Sequence, residues 1–82
     1  MSTPFTEAVE LLLQIHEDQT VPKNIREHVK TAIQLLEGDT PDPKVKVSKA
    51  LDELDSISDD TNIPIYTRTQ VWQAVSLLES HK

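Results

Sequence analysis

Three histidines and fourteen carboxylates are the side chains of this 82-residue chain that could carry acid–base or metal chemistry. Two His on one helix face, or a His with carboxylates one turn away, would hold a divalent cation. His16 and His28 fall on different expected helices, and His81 stands at the far end. None has the spacing of a metal motif. His16 borders an apolar face and reads as a packed or rim residue. Asp52, Glu53, Asp55, Asp59 and Asp60 are crowded, but they lack the alternation and the glycine of a calcium loop. A paired-carboxylate catalyst needs one carboxyl whose pKa is raised in an apolar pocket. Most of these five fall on polar flanks, so surface charge is the simplest account and weak divalent binding the functional alternative. No glycine-rich phosphate loop and no Gly-x-Ser-x-Gly nucleophile occurs, and there is no cysteine. The expectation is a protein that is not an enzyme, with no catalytic residue, no cofactor and no metal.

Two further groups invite a chemical reading. Asp18 and Arg26 recur as Asp60 and Arg68, forty-two residues on. Arginine can meet a carboxylate bidentately, so each pair could brace a bend; a ligand-binding arginine is the alternative. Recurrence at identical offsets favours the structural role. Trp72 is the single tryptophan. It lies about 100° from the expected core stripe of its helix. It therefore either packs on a neighbouring helix or anchors an interface, where tryptophan is enriched.

Helices must position all of these. One glycine and 4% aromatic residues argue against an all-β fold. Thr3-Pro4 is a helix entry, cap then proline. A first helix is expected from about Pro4 to Asp18, with Phe5, Ala8, Val9, Leu12 and Ile15 on one face. Leu11 and Leu13 widen that face on either side. Pro22 opens a second helix to Glu37, with Ile25, Val29, Ala32, Ile33 and Leu36 inward. Gly38 occupies the place of a left-handed C-terminal residue. Asp39-Thr40-Pro41-Asp42 is a linker. Asp42-Pro43 repeats the entry signal for a third helix to Ser58, with Val47, Ala50, Leu51, Leu54 and Ile57 inward. A fourth runs from Pro64 to Ser80, with Val71, Ala74, Val75 and Leu78 inward, and Lys82 suits a helix C-terminus.

Residues 7–38 align with 49–80 without a gap, and eleven of those 32 positions are identical, among them Asp18/Asp60, Pro22/Pro64 and Arg26/Arg68. Random agreement at ordinary composition would give roughly two. Most matches are apolar or turn positions. The unit is a helical hairpin of about forty residues, the size of a HEAT repeat, and it resembles one in its Asp-ended first helix and its Arg near the start of the second. The Asp18–Arg26 spacing is longer than the usual HEAT turn. Two units are also fewer than a solenoid needs, and short connections make successive helices antiparallel. The fold expected is one all-α domain over 1–82: an up-and-down four-helix bundle of two duplicated HEAT-like hairpins, about 4–38 and 43–80, joined by the linker 39–42. A two-unit stub that dimerises is the second choice. Where the copies differ, Leu11 and Leu13 become Glu53 and Asp55, Ile25 becomes Thr67, and Lys30 becomes Trp72. The surplus apolar flanks of the first helix are either covered within the bundle or meet another chain.

The pattern Asp18-x-x-Val21-Pro22-x-x-x-Arg26, then Leu54-Asp55-x-Ile57-Ser58-x-Asp60-x-Asn62-x-Pro64, then Arg68-Thr69-x-x-Trp72-x-x-x-Ser76-x-Leu78-Glu79 resembles the small archaeal proteins grouped as uncharacterised protein family 0147. The resemblance spans nearly the whole chain. It implies a compact helical bundle in an archaeal cytoplasm, and it implies no activity and no functional residues.

The net charge is −6, with 8 basic against 14 acidic residues. Nucleic-acid binding rests on phosphate neutralisation, so it starts at a disadvantage. The apolar run Val9–Ile15 is too short to span a membrane and lacks the flanks of a signal peptide; cytoplasmic residence is expected. Residues 7–18 and 49–60 each sum to −4, whereas 22–38 sums to +1 and 64–80 to zero. If the first helices of both repeats lie on one side, the protein has an acidic face. The function expected is a protein-interaction module, binding a second copy or another protein, with Leu11, Leu13, Lys30 and Trp72 as interface candidates. Asp18, Pro22, Arg26, Asp60, Pro64 and Arg68 form the bends. A nucleic-acid-associated factor using Lys23, Arg26 and Lys30, or a weak small-molecule or metal binder, is the alternative.

Overall fold

Proline, aspartate and apolar periodicity set four helices, and the computed structural model has them: α1 Thr6–Glu17, α2 Lys23–Glu37, α3 Pro43–Ser58 and α4 Ile65–Glu79. The structure describes residues 5–38 and 42–80, among which there is no strand. The Thr3-Pro4 entry, the linker positions 39–41 and the end residues His81 and Lys82 lie outside them. At α3 the entry is as the residues dictate: Asp42 caps by accepting from the Lys44 N–H at 2.9 Å, with Pro43 at the first helical position. Pro22 and Pro64 stand one place earlier than expected. Each is the extended N-cap residue, at φ −55° and −56°, and its carbonyl accepts the first helical bond, from Arg26 and Arg68. Gly38 is not left-handed: its φ is −70° with extended ψ, and no described residue has a positive φ. Space explains a glycine there, because a Cβ would lie 3.2 Å from the Gln34 carbonyl oxygen.

The helices form a ring. Each packs against its neighbour in sequence, and α1 closes onto α4, while the backbones of the diagonal pairs α1/α3 and α2/α4 stay more than 8 Å apart between Cα atoms. The result is an all-α four-helix bundle of 34 × 22 × 18 Å. One apolar cluster fills it, and the copies supply it in equivalent pairs: Leu12 and Leu54, Ile15 and Ile57, Val29 and Val71, Leu36 and Leu78. Val21 and Ile63, in the bends themselves, are also buried and anchor each bend to the core. The ring overturns the acidic face. The acidic helices α1 and α3 sit at opposite corners with near-neutral α2 and α4 between them, which keeps like charges apart. A solenoid would stack the first helices side by side; here no Cα of α1 comes within 8 Å of one in α3.

Candidate functional site

The bends were the first chemical candidates, and the two are built alike. Asp18 and Asp60 each accept a backbone N–H two residues on, from Thr20 at 2.9 Å and Asn62 at 2.8 Å. The Val21 N–H donates to the Asp18 carbonyl, and the Ile63 N–H to that of Asp60. These are Asx turns, which short acidic side chains form readily. The expected ion pairs do not close. Among the described residues, neither Asp18–Arg26 nor Asp60–Arg68 comes within 4.0 Å; instead Arg68 Nη2 donates to the Asp60 carbonyl at 3.1 Å. The carboxylate is already engaged by the turn, and the arginine joins the Ile63 N–H on the Asp60 carbonyl. Arg26 and Arg68 each keep a buried Nε without a partner.

One bend is elaborated. Tyr66, at the start of α4, donates its hydroxyl to Asp18 Oδ2 at 2.6 Å, and Thr20 Oγ1 donates to Oδ1 at 2.6 Å. The two hydroxyl oxygens lie 2.7 Å apart. The Thr20 side chain, then the Tyr66 hydroxyl and the Thr20 N–H, hold the Asp18 carboxyl below the usual carboxylate range, with Arg26 adding a smaller attraction. Three of the carboxylate's roughly four lone-pair sites are taken by these donors, so it serves as an acceptor within the bend. The cluster ties α4 to the first bend.

Among the described residues, no three His, Asp or Glu side chains converge as a ligand set. His28 Nδ1 donates to Glu53 Oε2 at 2.8 Å across α2 and α3, with both side chains part-exposed. They border a shallow polar hollow of about 260 Å³ with Asn24, Glu27 and Thr31. His16 is half-buried, as its position on α1 implied.

The interface candidates separate. Leu11 packs against the core at the α1/α4 seam, whereas Leu13 is 40% exposed and takes no part in it. Trp72 does not pack inward. It is 58% exposed and stands beside an open apolar groove of about 440 Å³ lined by Leu11, Thr69, Gln73, Ser76 and Leu77. Lys30, its counterpart in the first repeat, is exposed on α2, as is Lys23, while Arg26 is half-buried.

The forty-two-residue offset between the two hairpins shows what periodicity alone had missed. The outermost stripe of α4 is Ile65, Thr69, Trp72 and Ser76, at i, i+4, i+7 and i+11. The equivalent stripe of α2 is Lys23, Glu27, Lys30 and Gln34. All eight residues are exposed. Positions forty-two residues apart are thus mostly charged on α2 and uncharged on α4. The grooves beside them follow suit: the α2/α3 hollow is polar and bridged by His28–Glu53, while the α4/α1 groove holds Leu11 in the place of Glu53. The signal was present in the sequence as a stretch of α4 with no charge between Arg68 and Glu79.

Fold and surface together define a small helical bundle with one uncharged, aromatic-bearing face and no assembled chemical centre among its described residues. The chain belongs to the uncharacterised protein family UPF0147, whose model matches residues 2–81. A UPF0147 protein of Methanothermobacter thermautotrophicus is 42% identical over 76 residues, covering 93% of this chain and 74% of that protein. UPF0147 protein TK2131 of Thermococcus kodakarensis is 39% identical over 69 residues, covering 84% of this chain and 83% of its own length. Among solved structures, the protein MMP1188, of unknown function, superposes with a TM-score of 0.90 at 40% identity, covering 96% of this chain and 90% of that one. A UPF0147 protein of Thermoplasma acidophilum gives 0.89 at 29% identity, covering 96% and 93%. No helix among the described residues is long and apolar enough to cross a membrane.

Proposed function

We propose that this chain is a non-enzymatic protein-interaction module of the archaeal cytoplasm that docks a protein on its α1/α4 face. The observation that carries this is the exposed stripe Ile65, Thr69, Trp72 and Ser76, uncharged where its structural twin on α2 is Lys23, Glu27, Lys30 and Gln34. A stripe facing only water gains from charge, as the α2 stripe does. Depletion of charge around an exposed tryptophan is the compositional mark of an interface core. The duplicated hairpin, in this reading a HEAT-like unit closed on itself, is the scaffold, and divergence of the second copy has made the surface.

Paired affinity purification from the native organism tests this, with the wild-type chain and Trp72→Arg as baits. The expected result is a protein, its own untagged copy included, retained by the wild type and lost with Trp72→Arg while the helical circular dichroism of the two baits is the same. A set of retained proteins identical for both baits would refute the role of this face.

A further inference from the structure

We infer that the protein covering the α4 stripe is a second copy of this chain, paired antiparallel through α4 about a two-fold axis; this rests on the interaction role proposed above. The first argument is charge. Each copy carries −6, so two copies repel wherever acidic surfaces approach. The α4 stripe has no charged residue. Arg68 is turned toward the bend, where it donates to the Asp60 carbonyl, and Glu79 stands at the end of the helix. Two like-charged copies meet there at least cost, whereas a strongly basic partner would seek the carboxylates of α1 and α3.

The second argument is shape. A two-fold contact uses one patch twice, so the patch must supply both projections and the recesses that receive them. Along α4 the stripe reads large, small, large, small: Ile65, Thr69, Trp72, Ser76. Reversed on itself, it sets Ile65 opposite the partner's Ser76 and Trp72 opposite the partner's Thr69, at both ends at once. Large side chains then face small ones throughout, which is how packed layers interdigitate. The equivalent α2 stripe, reversed on itself, sets Lys30 against Glu27 and Lys23 against Gln34 and offers no apolar contact.

Sedimentation velocity and tryptophan emission, from low micromolar to millimolar chain, test the inference, because Trp72 is the only tryptophan. The 9.3 kDa chain is expected to convert to a species of twice that mass as concentration rises, with Trp72 emission moving to shorter wavelength. Ser76→Arg, an exposed change that keeps the fluorophore, is expected to stay monomeric and red-emitting. Leu13→Glu, away from the stripe, is expected to dimerise like the wild type. The chain has no cysteine, so Ile65→Cys combined with Ser76→Cys should oxidise to a covalent dimer; within one helix the two sit about 16 Å apart, beyond disulfide reach. A wild type that stays monomeric at millimolar concentration, or a dimer indifferent to Ser76→Arg, overturns the inference. If the wild type is monomeric while the native-organism purification still yields a different protein dependent on Trp72, the second copy is wrong and the interaction role stands. If neither association is found, both fall.

Discussion

Thr67 is the one polar side chain in the core, fully buried with its Oγ1 lacking any hydrogen-bond partner among the described residues. The usual escape for a helical threonine is the carbonyl four residues back. Thr31 and Thr69 take it, at 3.1 Å to Glu27 and 3.3 Å to Ile65, and Thr67 does not. A stranded hydroxyl costs about 1–3 kcal/mol. Thr67→Val puts a methyl in its place, and the first repeat shows that a larger apolar group is accommodated there, since Ile25 holds the same position at 1% exposure. We expect Thr67→Val to stabilise by about 1–2 kcal/mol. At roughly 4–8 °C per kcal/mol for a domain of this size, the midpoint of a thermal melt should rise visibly. The reciprocal change, Ile25→Thr, strands a second hydroxyl and forfeits apolar contact, and should cost about 2–4 kcal/mol. Urea titration is the assay, with the midpoint moving at constant slope. If Thr67→Val is neutral or destabilising while Ile25→Thr costs what is expected, the Thr67 hydroxyl is hydrogen-bonded in the folded protein, and the reasoning from an orphaned group is wrong.

Leu54 has no exposed surface; Leu54→Ala should cost about 2–5 kcal/mol by urea titration, and a loss near zero would mean that it does not fill the core. Asp18 is held below its ordinary pKa by the bonds from Thr20 and Tyr66. A depressed folded value stabilises above the unfolded pKa and is lost as pH falls through the folded one. The stability gap between the wild type and Asp18→Asn should thus be constant from neutrality down to the ordinary carboxylate range, then narrow in stronger acid; a gap unchanged at the lowest pH at which the protein still folds would contradict this. Electrophoresis with RNA or DNA at low salt should show no retardation, because Lys23 and Lys30 have Glu27 between them and Arg26 is half-buried; a salt-sensitive shift would reinstate the nucleic-acid role.

Helix positions were legible because prolines and apolar spacing act locally. Asp42-Pro43 fixed one boundary to the residue, and Leu12, Ile15, Leu54 and Ile57 lie in the core where their phase puts them. The misplacements have local causes of another kind. Proline suits both the N-cap and the first helical position, so Pro22 and Pro64 were one place out. Gly38 is explained by the nearness of the Gln34 carbonyl, which no residue pattern announces. What surrounds Trp72 was not legible. Its angle from the core stripe left burial by a neighbour open, and only the closure of α1 onto α4 decides that Leu11 lies beside it and that its outer side meets water. The bends misled through a sound analogy: Asp and Arg at fixed spacing suggest an ion pair, but the Asx turn claims the carboxylate first.

The ring of helices also bears on how the protein is made. The α1/α4 seam joins the first of these four helices in chain order to the fourth. While α2 and α3 emerge from the ribosome, the Leu11 side of α1 lacks the α4 residues that flank it in the finished fold, Thr69, Trp72, Gln73, Ser76 and Leu77. A nascent chain halted after α3 therefore carries an open apolar trough where the finished protein has a seam. An open site of that kind is where neighbouring nascent chains on one message could exchange their α4 helices.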